Sequence, residues 1–494
     1  MRKRWKLFAV PVLALMGTPC AGATVTVTST TDISDGDTSS ISALIAAPGP
    51  DGVISLREAI TAANNTPGAD TINFNIAGSG VKTIYLLTSK LPPITEAVTI
   101  DGYTQPGTSP NTLAVGDNAV LRIEVTGNVL PVPQLGTGFE LDADNCVIRG
   151  LVINQFSGYS LPISPNHGAI VIHGSGNVIA GNLIGTDATG TVYAQQAFNP
   201  PLDFTNWVGI SISGASSGNT TIGGPTPAAR NIITGNTTAI NIQNSSGNVV
   251  AGNYIGTDVN GAPMIFTSWN FTGSFDGPIR IFGASNNTIG GTAAGAGNLT
   301  TVGVNLINDA VSNPPNVLVP THNLILGNSF LTVFTNIRFV ATPTLNDFDY
   351  NNGGANVSQD PLDADTGPNG LQNSPTILSA TVSGGTTNVS LRLTTAANQT
   401  YRVEVYSDAV PNGAGTGSGR TLLGTTSLTT NASGFAQTVL ALPAVAVGQW
   451  ISATASGPDG TSEFSVVHVV QDPAAAGLPL VVTNTNDSGA GSLR

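Results

Sequence analysis

Charge is scarce in this chain of 494 residues. Asp, Glu, Lys and Arg make up 9% of it, where soluble domains usually carry about 25%. Positive charge is scarcer still, with 16 Lys and Arg against 29 Asp and Glu. Such a chain lacks the clustered cations that displace counterions from nucleic acid or dock on anionic lipid, which argues against both partners. Cysteine is limited to Cys20 and Cys146. No apolar run reaches the roughly 20 residues that a membrane-spanning helix takes, so no membrane span is expected. Stability has to come from packing and from backbone hydrogen bonds.

The first 23 residues carry what the remainder lacks. Arg2, Lys3, Arg4 and Lys6 precede an apolar run over 7–16 and then Ala21, Gly22 and Ala23, the order of a secretory signal peptide. Export to the cell surface or the medium and a mature start near Thr24 are expected. Losing those four cations takes the formal charge from -13 to -17. Cys146 would then be the only cysteine, so no internal disulfide is expected even in an oxidising compartment.

Glycine is plentiful, at 59 residues, and apolar residues make up 40%, much of them in short β-branched alternating runs. These favour strands and turns over disorder. Internal repetition is stronger than any single motif. "GNVIAGNLIGTDATG" at 176–190 and "GNVVAGNYIGTDVNG" at 247–261 agree at 11 of 15 positions, and "NTTIGG" from Asn219 is echoed by "NNTIGG" from Asn286. Aligned on these units, one recurring position holds Asn177, Asn231, Asn248, Asn287 and Asn323, with Thr220 and Cys146 as exceptions. Each unit is too short to bury a face alone and must stack on its neighbours. The expected fold is all-β: a right-handed parallel β-helix over 106–345, with inward aliphatic columns and a ladder of stacked Asn side chains at the turn. Asn suits such a ladder because it tolerates left-handed backbone and bonds to the rungs above and below without the charge repulsion of Asp. Cys146 reads as a small buried substitute in that row.

Upstream, Ser55 and Glu58 stand at capping-box spacing, which predicts a helix from Leu56 with Leu56, Ala59, Ile60 and Ala63 on one apolar stripe and Ile54 packed on its first turn. A solenoid end exposes core and unpaired strand edges, so 24–105 is expected to act as a lid. Arg57 is expected on a solvated face. The string "DGVISLREAITAANNTPGADTINF" at 51–74 resembles the N-terminal motif of the CSLREA-domain family of secreted bacterial proteins, whose members commonly carry right-handed β-helix repeats. Ile54 stands where that family has its first Cys, so the resemblance implies packing there and not thiol chemistry. It covers Thr24 to about Phe330, extends to "DADTGPNGLQNSPTI" at 363–377, and implies architecture and export more than any reaction. "LVVTNTNDSGAGSLR" at 480–494 is similar to the opening of the same motif, so 471–494 is expected to begin a second copy.

After a linker at 346–373, longer alternating strands such as "NVSLRL", "YRVEVY" and "WISATAS" predict an immunoglobulin-like β-sandwich over 374–470, in the role of a spacer. In the linker, Asp360, Asp363, Asp365 and Asn369 offer oxygen ligands at spacings suited to calcium, the one cofactor for which residues suggest themselves. No catalytic set emerges. Asp187 and Asp258 recur in "IGTD" and fit turn capping; His167, His173 and His322 have no partner nucleophile or metal-ligand set nearby in sequence; "RIF" at Arg280 lacks a following Lys. The leading expectation is a structural or adhesive surface protein whose partners are an extracellular glycan or another surface protein. The alternatives are a pectin- or alginate-cleaving lyase or hydrolase, and a glycan-binding module using Tyr193, Trp207 and Trp269.

Overall fold

A computed structural model describes residues 22–87, 89–127, 136–156, 167–194, 206–264, 277–309, 317–331, 336–340, 357–412 and 415–472, and the backbone of the short hairpin Phe266–Ser268 and Phe271–Gly273. The segment up to Ala21 expected to be a signal peptide, the first part of the expected linker, the segment 480–494 expected to open a second motif, and Trp269 lie outside the described residues.

Short apolar runs punctuated by Gly- and Asn-containing turns become strands of two to eight residues, and most coils contribute one strand to each of three parallel sheets. The first sheet has nine strands, from Thr24–Val27 through Val98–Asp101 and Val178–Ala180 to Leu324–Leu326. The second runs over eight from Lys82–Tyr85 to Ser329–Phe330, and the third over seven from Thr137–Leu141 to Ile337–Val340. Register is held in phase along the stack. In the first sheet Ile100, Ile148, Ile179, Ile222, Val250, Ile289 and Ile325 pair in succession, all buried. In the third, Leu141, Ile172, Ile212, Ile242, Ile281, Leu306 and Phe339 do the same. Burying each such side chain is worth about 2 kcal/mol, and a slip of one residue would turn a whole column outward. The chain is therefore a parallel β-helix. Its stack begins within 24–105, which supplies the first three strands of the first sheet as well as a lid.

The recurring "TIGG" has a steric cause. Gly223 and Gly290 sit at φ +82° and +90°, and a Cβ there would stand 2.1 Å from the Ala251 carbonyl oxygen and 2.0 Å from that of Leu326. Only glycine lets the neighbouring coil approach so closely.

The lid is α2, Leu56–Asn64, packed against a shorter helix, α1, Ile41–Ala46. Its capping box is complete: Glu58 N donates to Ser55 Oγ at 3.2 Å, and Ser55 N to Glu58 Oε2 at 2.9 Å. Glu58 is buried and does more than cap, since its Oε1 accepts from Asp35 N and Gly36 N, both at 2.8 Å. Arg57 is not on a solvated face. It grips both carboxylate oxygens of the buried Asp32 at 2.9 Å and donates to the carbonyls of Ser89 and Lys90. Its planar fork matches a carboxylate bidentately, a geometry that helix periodicity does not reveal.

The segment 374–470 forms two antiparallel sheets. Thr376–Ser383, Thr386–Thr394 and Phe435–Pro443 make one; Thr421–Thr429, Thr400–Asp408 and Trp450–Gly457 lead the other. Leu391, Leu393, Tyr401, Val403 and Ile451 form their own core. This unit is no spacer: it is seated on the end of the coil. Tyr406 and Phe464 join the coil's core, with Phe464 edge-on to Phe330 at 5.9 Å and to Tyr406 at 5.4 Å. Backbone donors on the last strands of the coil find acceptors there. Ile325 N donates to Thr461 Oγ1, Gly327 N to Glu404 Oε2, Phe330 N to the Gly419 carbonyl and Phe339 N to Glu463 Oε1. All three sheets thus find partners in this unit, the first of them also through a single parallel bridge between Asn323 and Gly460. Among the described residues no helix is long and apolar enough to cross a membrane.

Candidate functional site

The recurring polar residues form two buried rows, one at each of two turns of the coil. In the first, Cys146 N donates to Asn177 Oδ1, Thr220 N to Asn248, Asn248 N to Asn287, Asn287 N to Asn323 and Asn323 N to Asn369, at 2.7–3.0 Å. In the second, Leu151 N donates to Asn182 Oδ1, Asn182 N to Asn231, Asn231 N to Asn253, Asn253 N to Asn298 and Asn298 N to Asn328. Asn231 therefore belongs to the second row and not to the row of Asn177. Both turns place an Asn just before an apolar strand, as in Gly176-Asn177 and Gly181-Asn182, so the Asn alone does not tell them apart.

The left-handed residue is also not the ladder residue itself. It is the one before it in the first row: Asn145, Gly176, Asn219, Gly247, Asn286 and His322, at φ between 57° and 77°. His322 holds that position, and its N–H donates to the Asp459 carbonyl. Thr220 interrupts the first row, and Asn177 Nδ2 is left without an acceptor.

The "IGTD" aspartates act in turns, as expected. Asp187 Oδ1 accepts from Thr189 N and Oγ1, and Asp258 Oδ1 accepts from Asn260 N and Ala262 N.

Asp360, Asp363 and Asp365 do converge, with one carboxylate oxygen of each within 4.8 Å of the others. Asp363 accepts from Asn373 N and Thr395 Oγ1, and Asp360 from Ala364 N and Asn373 Nδ2. Burial, reinforced by the neighbouring Asp365 and Asp360, pushes the Asp363 carboxyl up to about 6. Asn369 is not part of this group. It is fully buried as the last rung of the first Asn row, its Oδ1 accepting from Asn323 N and its Nδ2 donating to the carbonyls of Asn323 and Thr461. Its amide is committed to closing the coil.

A second convergence joins Glu140, Asp142 and His173, whose donor atoms also lie within 4.8 Å of one another. His173 Nδ1 is 2.8 Å from Asp142 Oδ1 and 3.9 Å from Glu140 Oε1, and Lys90 Nζ pairs with Glu140 Oε2. The side chains are partly exposed on the flank of the coil. His173 thus has the carboxylate partners that its sequence neighbourhood lacked. His167 stands at the other end of the strand Gly168–Ile172, where burial, reinforced by the charge of Lys90, pushes its imidazole down.

Of the three aromatics expected to serve a glycan, Trp269 lies outside the described residues. Tyr193 is half-buried, its Oη donating to the Met264 carbonyl at 3.0 Å, and Trp207 is half-buried as well. Arg280 is buried beside the Phe282 ring at 5.9 Å. No family model matches the chain, and no curated protein matches it either.

Proposed function

We propose that this chain is an exported surface protein with a structural or adhesive role, a right-handed β-helix rod of the CSLREA-like kind closed by an immunoglobulin-like β-sandwich. The right hand follows from the general handedness of parallel strand crossovers. One observation carries the reading: the Asn residues that recur coil after coil are buried in the two rows, and the half-exposed IGTD aspartates are taken up in their own surface turns, so that no repeated exterior site is left among the described residues. A rod of this kind presents its flanks to an extracellular glycan or a surface protein. The test is to express the full chain with its N-terminal segment in a Gram-negative host, follow its export, and measure adhesion of the cells to immobilised glycans and proteins. Retention in the cytoplasm, or release of reducing ends from pectin or alginate by the purified chain, would refute it.

The second reading, a polysaccharide-cleaving enzyme, is favoured by the meeting of Glu140, Asp142, His173 and Lys90 on an exterior flank, since carboxylates beside His and Lys are the usual equipment for acid–base cleavage. Depolymerisation lost in His173→Ala would establish it over the first.

A further inference from the structure

We infer that Glu140, Asp142 and His173 bind one divalent transition-metal cation of the zinc class on the flank of the coil. Leu141 pairs with Ile172 on the adjacent coil, so the residues that follow, Asp142 and His173, lie one above the other. Glu140 projects from the same strand as Leu141 on its outward side. Both backbones are held: Asp142 N donates to the Ile94 carbonyl at 2.9 Å and His173 N to that of Leu141 at 2.8 Å. The donor atoms therefore sit on a rigid edge.

Their spacing suits a small cation. Donors of a tetrahedral zinc shell with bonds of about 2.0 Å stand about 3.3 Å apart, and the separations of 2.8 Å and 3.9 Å from His173 Nδ1 bracket that value. A single ring proton serves one carboxylate well, whereas a divalent cation in its place neutralises both. Lys90 holds Glu140 Oε2 and leaves Oε1 turned toward the ring, the role that an outer partner plays for a ligating carboxylate. Two carboxylates against one ammonium leave the site negative when the imidazole is neutral. Imidazole nitrogen with carboxylate oxygen selects zinc-class ions over calcium, which takes an all-oxygen shell of higher number. Three protein donors leave a fourth position for water. The acidic group at Asp360, Asp363 and Asp365 has no nitrogen donor and is not included.

The test uses the purified full chain and Zn²⁺ alone, titrated calorimetrically at pH 7.5, with Co²⁺ as an optical stand-in. One ion per chain is expected, with visible Co²⁺ absorption bands. His173→Ala and Asp142→Asn should each weaken binding on the order of tenfold or more, while Asp363→Asn leaves it unchanged. Far-UV spectra and unfolding midpoints of the apo variants should match the parent, because the groups lie at the surface. The inference is overturned if Zn²⁺ shows no saturable one-to-one binding, if binding survives both His173→Ala and Asp142→Asn in folded protein, or if Asp363→Asn abolishes it. Should His173→Ala misfold, the Co²⁺ spectrum of Asp142→Asn decides alone. The result is independent of the adhesive reading.

Discussion

The two ends of the coil are closed by different means. At the N-terminal end the nine-residue helix α2 lies against the first strands, and the single carboxylate of Glu58 gathers the N–H groups of Asp35, Gly36 and Ser55. At the C-terminal end a whole antiparallel unit with its own core offers Thr461, Glu404 and Glu463 to the last strands. The first closure is local, with Glu58 reaching partners 3 to 23 residues away. The second spans 77 to 136 residues. Long-range contacts must repay loop-closure entropy before they stabilise anything, so the helix end should form early and the other end late. A stack can be started from its own sequence neighbourhood, but finishing it requires a separate folded piece.

The sharpest challenge to this contrast is Phe464→Ala. Removing a ring that touches both the coil and the antiparallel unit should cost about 3–5 kcal/mol and lower the midpoint of both regions in one calorimetric transition. Two separate transitions with the coil's midpoint unchanged would mean that the end is not sealed in this way. Glu58→Ala should cost about 2–3 kcal/mol in urea unfolding, because the buried donor of Ser55 and the part-buried donors of Asp35 and Gly36 lose their acceptor; a loss under 1 kcal/mol would show that water serves the lid equally well. Between the ends, Thr220→Asn should restore the missing rung above Asn177 and add about 1 kcal/mol, with no change if that position is already satisfied by solvent. The smallest effect concerns Asp363. Its raised carboxyl keeps its proton in the folded chain at pH values where the unfolded chain has lost it, so stability falls as pH rises from the ordinary carboxylate range through about 6. Asp363→Asn should therefore be more stable than the parent at pH 8 and equal to it at pH 4, by urea midpoints at the two values.

What could be read in the sequence follows the same divide. The capping box was legible because Ser55 and Glu58 are three residues apart and their geometry is fixed by the helix itself. The inward columns at Ile179, Ile222, Val250 and Ile289 were legible because near-identical strings must occupy equivalent places in a stack. Asn231 falls in the second row and not the first because both turns of a coil place an Asn just before an apolar strand, as Asn177 and Asn182 do within one repeat and Asn248 and Asn253 within the next. The pairing of Asp142 with His173 could have been found by applying the 31-residue spacing between Cys146 and Asn177 to Asp142. Arg57 with Asp32, and Glu404 with Gly327, leave no such trace, since a buried ion pair or a carboxylate on a strand end has no period.

Successive rungs of the first Asn row lie 31, 28, 39, 36 and 46 residues apart where the row is continuous, yet each advances the stack by one strand separation of about 4.8 Å. The reach of the molecule is therefore counted in coils and is indifferent to how much chain each coil spends on excursions. Excising 248–286 would join Gly247 to Asn287, a left-handed glycine to a rung asparagine as before, and return a ruler shorter by one graduation.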